Sequence, residues 1–157
     1  MPPPMNSTGM NDDFLDMLSA LVDCNVDFVV VGAHALAAHG IPRATGDIDI
    51  LVRPNMRNAS HVLSALRVFG APVEQHGIAQ EDFANPGSVY QIGLPPRRID
   101  ILTQISGLSF DDVWKTKIQV RIGDIDVFFI GRDAMIKNKN ASGRPKDLVD
   151  VQTLKGN

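Results

Sequence analysis

The chain has 157 residues, enough for one domain with a sizeable apolar core. Its formal charge of −3 argues against a surface coated for nonspecific nucleic-acid binding, although Arg43, Arg53, Arg57, Arg67, Arg97, Arg98 and Arg144 suffice for a local basic patch. No apolar run approaches the ~20 residues that span a membrane, and one cysteine, Cys24, cannot form an internal disulfide, which suits a reducing cytoplasm.

The opening MPPPMNSTGM lacks the basic-then-apolar order of a signal peptide, and residues 1–11 read as a disordered lead before a single domain over 12–157. Asn11-Asp12-Asp13 offers capping side chains, and Phe14, Leu15, Leu18, Leu21 and Val22 recur at helical spacing, predicting a helix to about Cys24. Cys24 falls on its apolar side and reads as a small buried residue. Phe28-Val29-Val30-Val31 has the unbroken apolar character of a strand buried on both faces. Gly32 ends it. Ala33 to His39 is a short Ala-rich helix, with Gly40 at its C-cap and Pro42 preventing continuation.

Asp47 to Val52 is the next strand, stopped by Pro54, and a helix follows from about Asn58 to Phe69 with Val62, Leu63, Leu66 and Phe69 on one stripe. Residues 70–87 read as loop, with a helical turn near Glu81-Asp82-Phe83. Ser88 to Leu94 and Arg98 to Leu102 are predicted strands joined across Pro95-Pro96, and Phe110 to Trp114 is a short helix. Lys117 to Ile122 and Ile125 to Ile130 flank Gly123-Asp124, a hairpin signal. Two helices close the chain, Gly131 to about Asn140 and Lys146 to Leu154, separated by Ser142-Gly143-Arg144-Pro145. The sum is an α+β domain, a mixed sheet of about five or six strands with flanking helices.

Strand alternation puts Asp47 and Asp49 on one face, roughly 6–7 Å apart, with Ile48 and Ile50 on the other. Like charges this close repel unless something positive lies between them. Mg²⁺ suits such a site, because it prefers carboxylate oxygen and leaves positions open for phosphate. Asp100, in Arg98-Ile99-Asp100-Ile101-Leu102, repeats the pattern of an acid between isoleucines. Strand interiors are depleted in Asp, so three in two apolar strands call for a reason. The bland alternative is a solvated sheet face.

Gly32-Ala33, a short helix, Asp47-Ile48-Asp49 and an Asp in a later strand together resemble the polymerase-β-type nucleotidyltransferase superfamily. More narrowly, GAHALAAHGIPRATGDIDI and the late Arg144-Pro145-Lys146-Asp147-Leu148-Val149-Asp150 are similar to the AbiEii-type nucleotidyltransferases of abortive-infection and toxin–antitoxin systems. The resemblance spans about residues 26–154. It implies a nucleotidyltransferase-like fold. It also implies transfer of a nucleoside monophosphate from an NTP, ATP among them, to a hydroxyl on RNA (tRNA) or protein. Pyrophosphate would leave. Two Mg²⁺ ions, with Mn²⁺ as the alternative, would bind Asp47 and Asp49, and Asp100 would complete the second ion's shell and help take the acceptor's proton.

On the same resemblance Gly32 and Ala33 would let the NTP phosphates approach the backbone. Arg43 and Thr45 would hold triphosphate oxygens, and Lys146, oriented by Asp147, would neutralise them. Ala33 stands where the family has a second Gly or a Ser, so no hydroxyl is offered there. The chain stops soon after the Lys-Asp helix, which implies a minimal enzyme or one working with a partner protein from a neighbouring gene. For Arg43 the plain alternative is a surface charge in a turn, and for Lys146 and Asp147 a solvated helical turn. His34 and His39 do not share a helix face, so no joint metal site is expected, and His39 should bond a carbonyl. Arg97 and Arg98 either face nucleic acid or bracket the strand. Two other readings of the whole stay open: a catalytically weak module of this fold that binds a partner protein, and a structural domain with solvated acids.

Overall fold

A computed structural model describes residues 10–156; most of the expected lead lies outside the described residues. Asn11 caps helix α1 (Asp12–Asp23) by accepting from the Phe14 N–H at 3.0 Å, and the apolar stripe Phe14, Met17, Leu18 and Leu21 is buried. Strand β1 (Phe28–Val31) is buried at every position, as its unbroken apolar run implies. It runs directly into α2 (Gly32–Ala38) and then, through the turn around Arg43, into β2 (Asp47–Val52).

Helix α3 (Met56–Phe69) begins two residues earlier than its stripe suggests. Asn55 is the cap, accepting from Asn58 N–H at 2.8 Å, while the buried Asn58 amide bridges Asp27 and Arg53 main-chain groups. The helical turn expected near Glu81 is a 3-10 turn over Gln80–Phe83. Strand β3 (Val89–Ile92) is shorter than the predicted 88–94 and alternates exposed and buried, because it lies at an edge. Then come β4 (Arg98–Leu102), α4 (Phe110–Lys115), the hairpin β5 (Ile118–Ile122) and β6 (Ile125–Phe129), α5 (Arg132–Ser142) and α6 (Pro145–Gly156).

The six strands form one mixed sheet in the order β3-β4-β2-β1-β6-β5. Strand β2 is antiparallel to β1 and parallel to β4; β1 is parallel to β6. The acids therefore lie on two adjacent interior strands, β2 and β4, with β1 on the other side of β2. Helices α1 and α3 pack on one another and α5 packs on α6. One apolar cluster joins α1, α3 and the sheet through Leu18, Leu21, Val62, Leu66, Ile48 and Ile50. Cys24 is half-buried against it. No helix among the described residues is long and apolar enough to cross a membrane.

Candidate functional site

Register brings the acids together. In the parallel pair β2–β4, Asp49 lies opposite Asp100 and Asp47 opposite Arg98, while in β1–β2 Val31 lies opposite Asp49. Adjacent strands are about 4.8 Å apart, so in-register carboxylates on one face must meet. One oxygen from each of Asp47, Asp49 and Asp100 lies within 4.8 Å of the others. The isoleucines between them, Ile48, Ile50, Ile99 and Ile101, point into the core.

Gly32 completes this arrangement. Its φ of +73° is one that other residues rarely adopt, and a Cβ built there would collide with the Asp49 carboxylate. Its glycine identity thus makes room for the acid as well as turning the chain from β1 into α2.

The cluster is electrostatically frustrated. Burial, then the charges of Asp47 and Asp100, push the Asp49 carboxyl up to about 7. Asp100 is 5% exposed, and its Oδ1 is buried without a hydrogen bond. Arg98 is the local cation: its Nη2 lies 2.5 Å from Asp47 Oδ2, and its Nε 3.2 Å from Asp100 Oδ1. An orphaned buried carboxylate oxygen beside two further carboxylates is the donor set a hard divalent cation takes, so the residues fit such an ion.

The basic residues around the acids are held in unequal ways. Arg43 is bonded in a two-pronged contact to the buried Asp150, so its fork is engaged within the fold. Thr45 Oγ1 lies 3.2 Å from Asp47 Oδ1, and anchors that carboxylate. Asp147, expected to orient Lys146, is buried and instead accepts from Lys139 Nζ at 3.2 Å, Ser142 Oγ at 2.5 Å and Arg144 Nε at 2.7 Å. Burial alone would raise its carboxyl; those three hydrogen bonds outweigh it and leave it below the ordinary value. Lys146 itself is exposed and has no ion pair among the described residues.

Two hollows meet at Gly32 and Asp49. One, of about 380 Å³, holds the three acids with Ala33, Arg43, Thr45, Arg98, Arg144 and Lys146. The other, about 400 Å³, runs past Val31, Leu102, Ile105 and Asn138, and shares Lys139, Arg144 and Asp147 with the first. A somewhat larger hollow of about 450 Å³ surrounds Arg53 and His61 beyond the other end of β2; Arg53 there is paired to Asp27 and Asp111. It contains no acid cluster.

Sequence reasoning missed Lys139 and Asp150. Lys139 is 8% exposed yet charged, and its Nζ reaches both Asp147 and Asp150, at 3.2 and 2.9 Å. The available signal was the i, i+3 spacing of Asp147 and Asp150, which puts both on one side of α6. Arg97 pairs with Asp13 and Arg98 with the triad, so the two neighbours have separate tasks. His39 Nε2 lies 2.8 Å from the Ile130 carbonyl, as expected. His34 is buried edge-on to Phe14, and desolvation lowers its pKa.

No family model and no curated protein matches this chain. Solved structures do. A candidate nucleotidyltransferase from Thermotoga maritima superposes with a TM-score of 0.54 at 17% identity, covering 94% of this chain and 93% of the other. An antigenic nucleotidyltransferase-like protein from Paracoccidioides brasiliensis gives 0.50 at 15% identity, covering 98% and 78%. At these identities the likeness is one of fold: a nucleotidyltransferase-like mixed sheet with flanking helices.

Proposed function

We propose that this chain is a metal-dependent nucleotidyltransferase, moving a nucleoside monophosphate from an NTP to a hydroxyl group. The observation that carries the reading is the in-register trio Asp47, Asp49 and Asp100 beside Gly32. Asp47, Asp49 and Asp100 would hold the divalent cation, Mg²⁺ or Mn²⁺, which when bound neutralises phosphoryl oxygens and favours departure of pyrophosphate.

The chain's own groups supply the rest. Gly32 and Ala33 present main chain without side-chain bulk to the phosphates. Lys146, exposed and without an ion pair among the described residues, and Arg144 beside it draw the triphosphate tail into the acid hollow. Arg43 and Thr45 act one step removed, Arg43 by fastening the turn before β2 to α6 and Thr45 by steadying Asp47. Asp147 positions Arg144 and Lys139. Asp100 Oδ1 keeps a free lone pair and is the atom we assign to accept the hydroxyl's proton.

The narrower AbiEii-like reading is supported by contact between its two motif segments, since Arg43 of the first grips Asp150 of the second. On that reading the acceptor is RNA (tRNA) or protein, the setting is phage defence or a toxin–antitoxin pair, and the partner comes from a neighbouring gene. The place of action is the cytoplasm. Incubation with each labelled NTP, Mg²⁺ or Mn²⁺, and tRNA or candidate proteins tests this. Label should enter one acceptor and be lost in Asp47→Ala and Asp49→Ala. Absence of both cation and nucleotide binding at millimolar concentrations would reject it.

A further inference from the structure

Arg43 and Arg98 both contact buried carboxylates in this site, and they do so differently. Arg43 places Nη1 and Nη2 on the two oxygens of one acid, Asp150, a complete fork. Arg98 is divided. Its Nη2 lies 2.5 Å from Asp47 Oδ2 and 3.3 Å from Asp100 Oδ2. Its Nε is 3.2 Å from Asp100 Oδ1, yet both of those buried atoms lack a hydrogen bond. The second prong is a charge contact without alignment.

Register explains the position. Arg98 sits opposite Asp47 across β2–β4 and two residues before Asp100 on the same strand, so its side chain emerges on the acid face. It is 30% exposed and can swing outward, and it cannot shed its charge. Without a cation, three carboxylates within 4.8 Å would repel, and Arg98 is the positive group in contact with two of them. A divalent cation held by the triad needs the same Asp47 and Asp100 oxygens.

We propose that Arg98 is a built-in counter-ion of the acid triad, holding Asp47 and Asp100 together in the ion-free protein and displaced when a divalent cation binds. This rests on reading the triad as a cation site. The chain then trades cation affinity for a preformed pocket. The displaced guanidinium, still at the rim, is free to meet the anionic triphosphate.

Titration with Mn²⁺, followed by calorimetry and by the spin resonance of the free ion, tests this on the wild type, Arg98→Gln, Arg98→Lys and Asp47→Asn. Thermal unfolding of each is recorded with and without Mn²⁺. Removing a positive charge in contact with the ligands should tighten Mn²⁺ binding about tenfold or more in Arg98→Gln. Its ion-free melting temperature should fall and recover with Mn²⁺. Arg98→Lys, a compact charge unable to span two acids, should lie between, and it keeps the test open if the Gln variant fails to fold. Equal or weaker Mn²⁺ binding in the folded Arg98 variants, with wild-type binding intact and lost in Asp47→Asn, overturns the counter-ion role and leaves the triad standing. Absence of Mn²⁺ binding in both the wild type and Arg98→Gln removes the triad reading, and this inference with it.

Discussion

The guanidinium of Arg43 grips both carboxylate oxygens of Asp150, across 107 residues of sequence, and so ties the turn before β2 to the last helix. Lys139 donates to the same carboxylate at 2.9 Å. The hydrogen bond from Arg43 outweighs burial, and with Lys139 it holds Asp150 down to about 2. A carboxylate depressed in the folded chain contributes its full stability above the unfolded value of about 4 and loses it as pH falls through about 2. The urea midpoint should therefore drop between pH 4 and pH 2, and Asp150→Asn should flatten that segment. At neutral pH, Asp150→Ala should cost about 3–5 kcal/mol, because it leaves Lys139 buried with one partner fewer.

Gly32 and Gly40 separate two effects in one pair of variants. Both have positive φ, +73° and +87°, but only at Gly32 would a Cβ strike Asp49; at Gly40 nothing lies within 4 Å. Each Gly→Ala change should cost about 1–2 kcal/mol from backbone strain. Only Gly32→Ala should also weaken Mn²⁺ binding, by displacing the Asp49 carboxylate. Equal Mn²⁺ affinity in the two variants would show that the close approach is immaterial.

Asp49 gives the site a pH dependence of opposite sign. Its carboxyl is raised to about 7, chiefly by burial and then by Asp47 and Asp100. A raised carboxyl stabilises the fold at low pH, and that contribution is lost as pH rises through about 7. The ion-free protein should thus lose stability from about pH 4 to pH 7. Cation binding runs the other way, since the proton must leave first: Mn²⁺ affinity should rise up to about tenfold per pH unit below 7 and level off above it. Asp49→Asn should abolish both slopes.

Lys146 and Lys139 lie in neighbouring elements with contrasting surroundings. Lys146 is exposed without an ion pair among the described residues, whereas Lys139 is buried between Asp147 and Asp150. Lys146→Ala should leave the urea midpoint unchanged and lower kcat/KM for the NTP by roughly ten- to hundredfold, mostly through KM. Lys139→Met should destabilise by about 3 kcal/mol or more, because two buried acids lose a partner. A Lys139→Met protein as stable as wild type would remove the network from the architecture.

Most of the fold is visible along the chain, because each element's pattern is local. The four-residue run Phe28–Val31 has the mark of a buried strand and is one, and alternation in Asp47–Val52 sets two acids against two isoleucines. Boundaries are less legible where side chains outside the apolar stripe decide them, as Asn55 does for α3 by capping two residues early.

Sequence by itself determined that Asp47, Asp49 and Asp100 stand on one kind of strand face and that a glycine closes β1, because side-chain alternation and turn chemistry act between near neighbours. Tertiary structure alone decided the rest. Strand register aligned Asp49 with Asp100 and aimed Arg98 at Asp47 and Asp100, and helix packing brought Lys139 and Arg43 to Asp147 and Asp150. These are pairings between distant segments, chosen by the packing of the whole sheet and its helices, and no local pattern encodes which charge meets which.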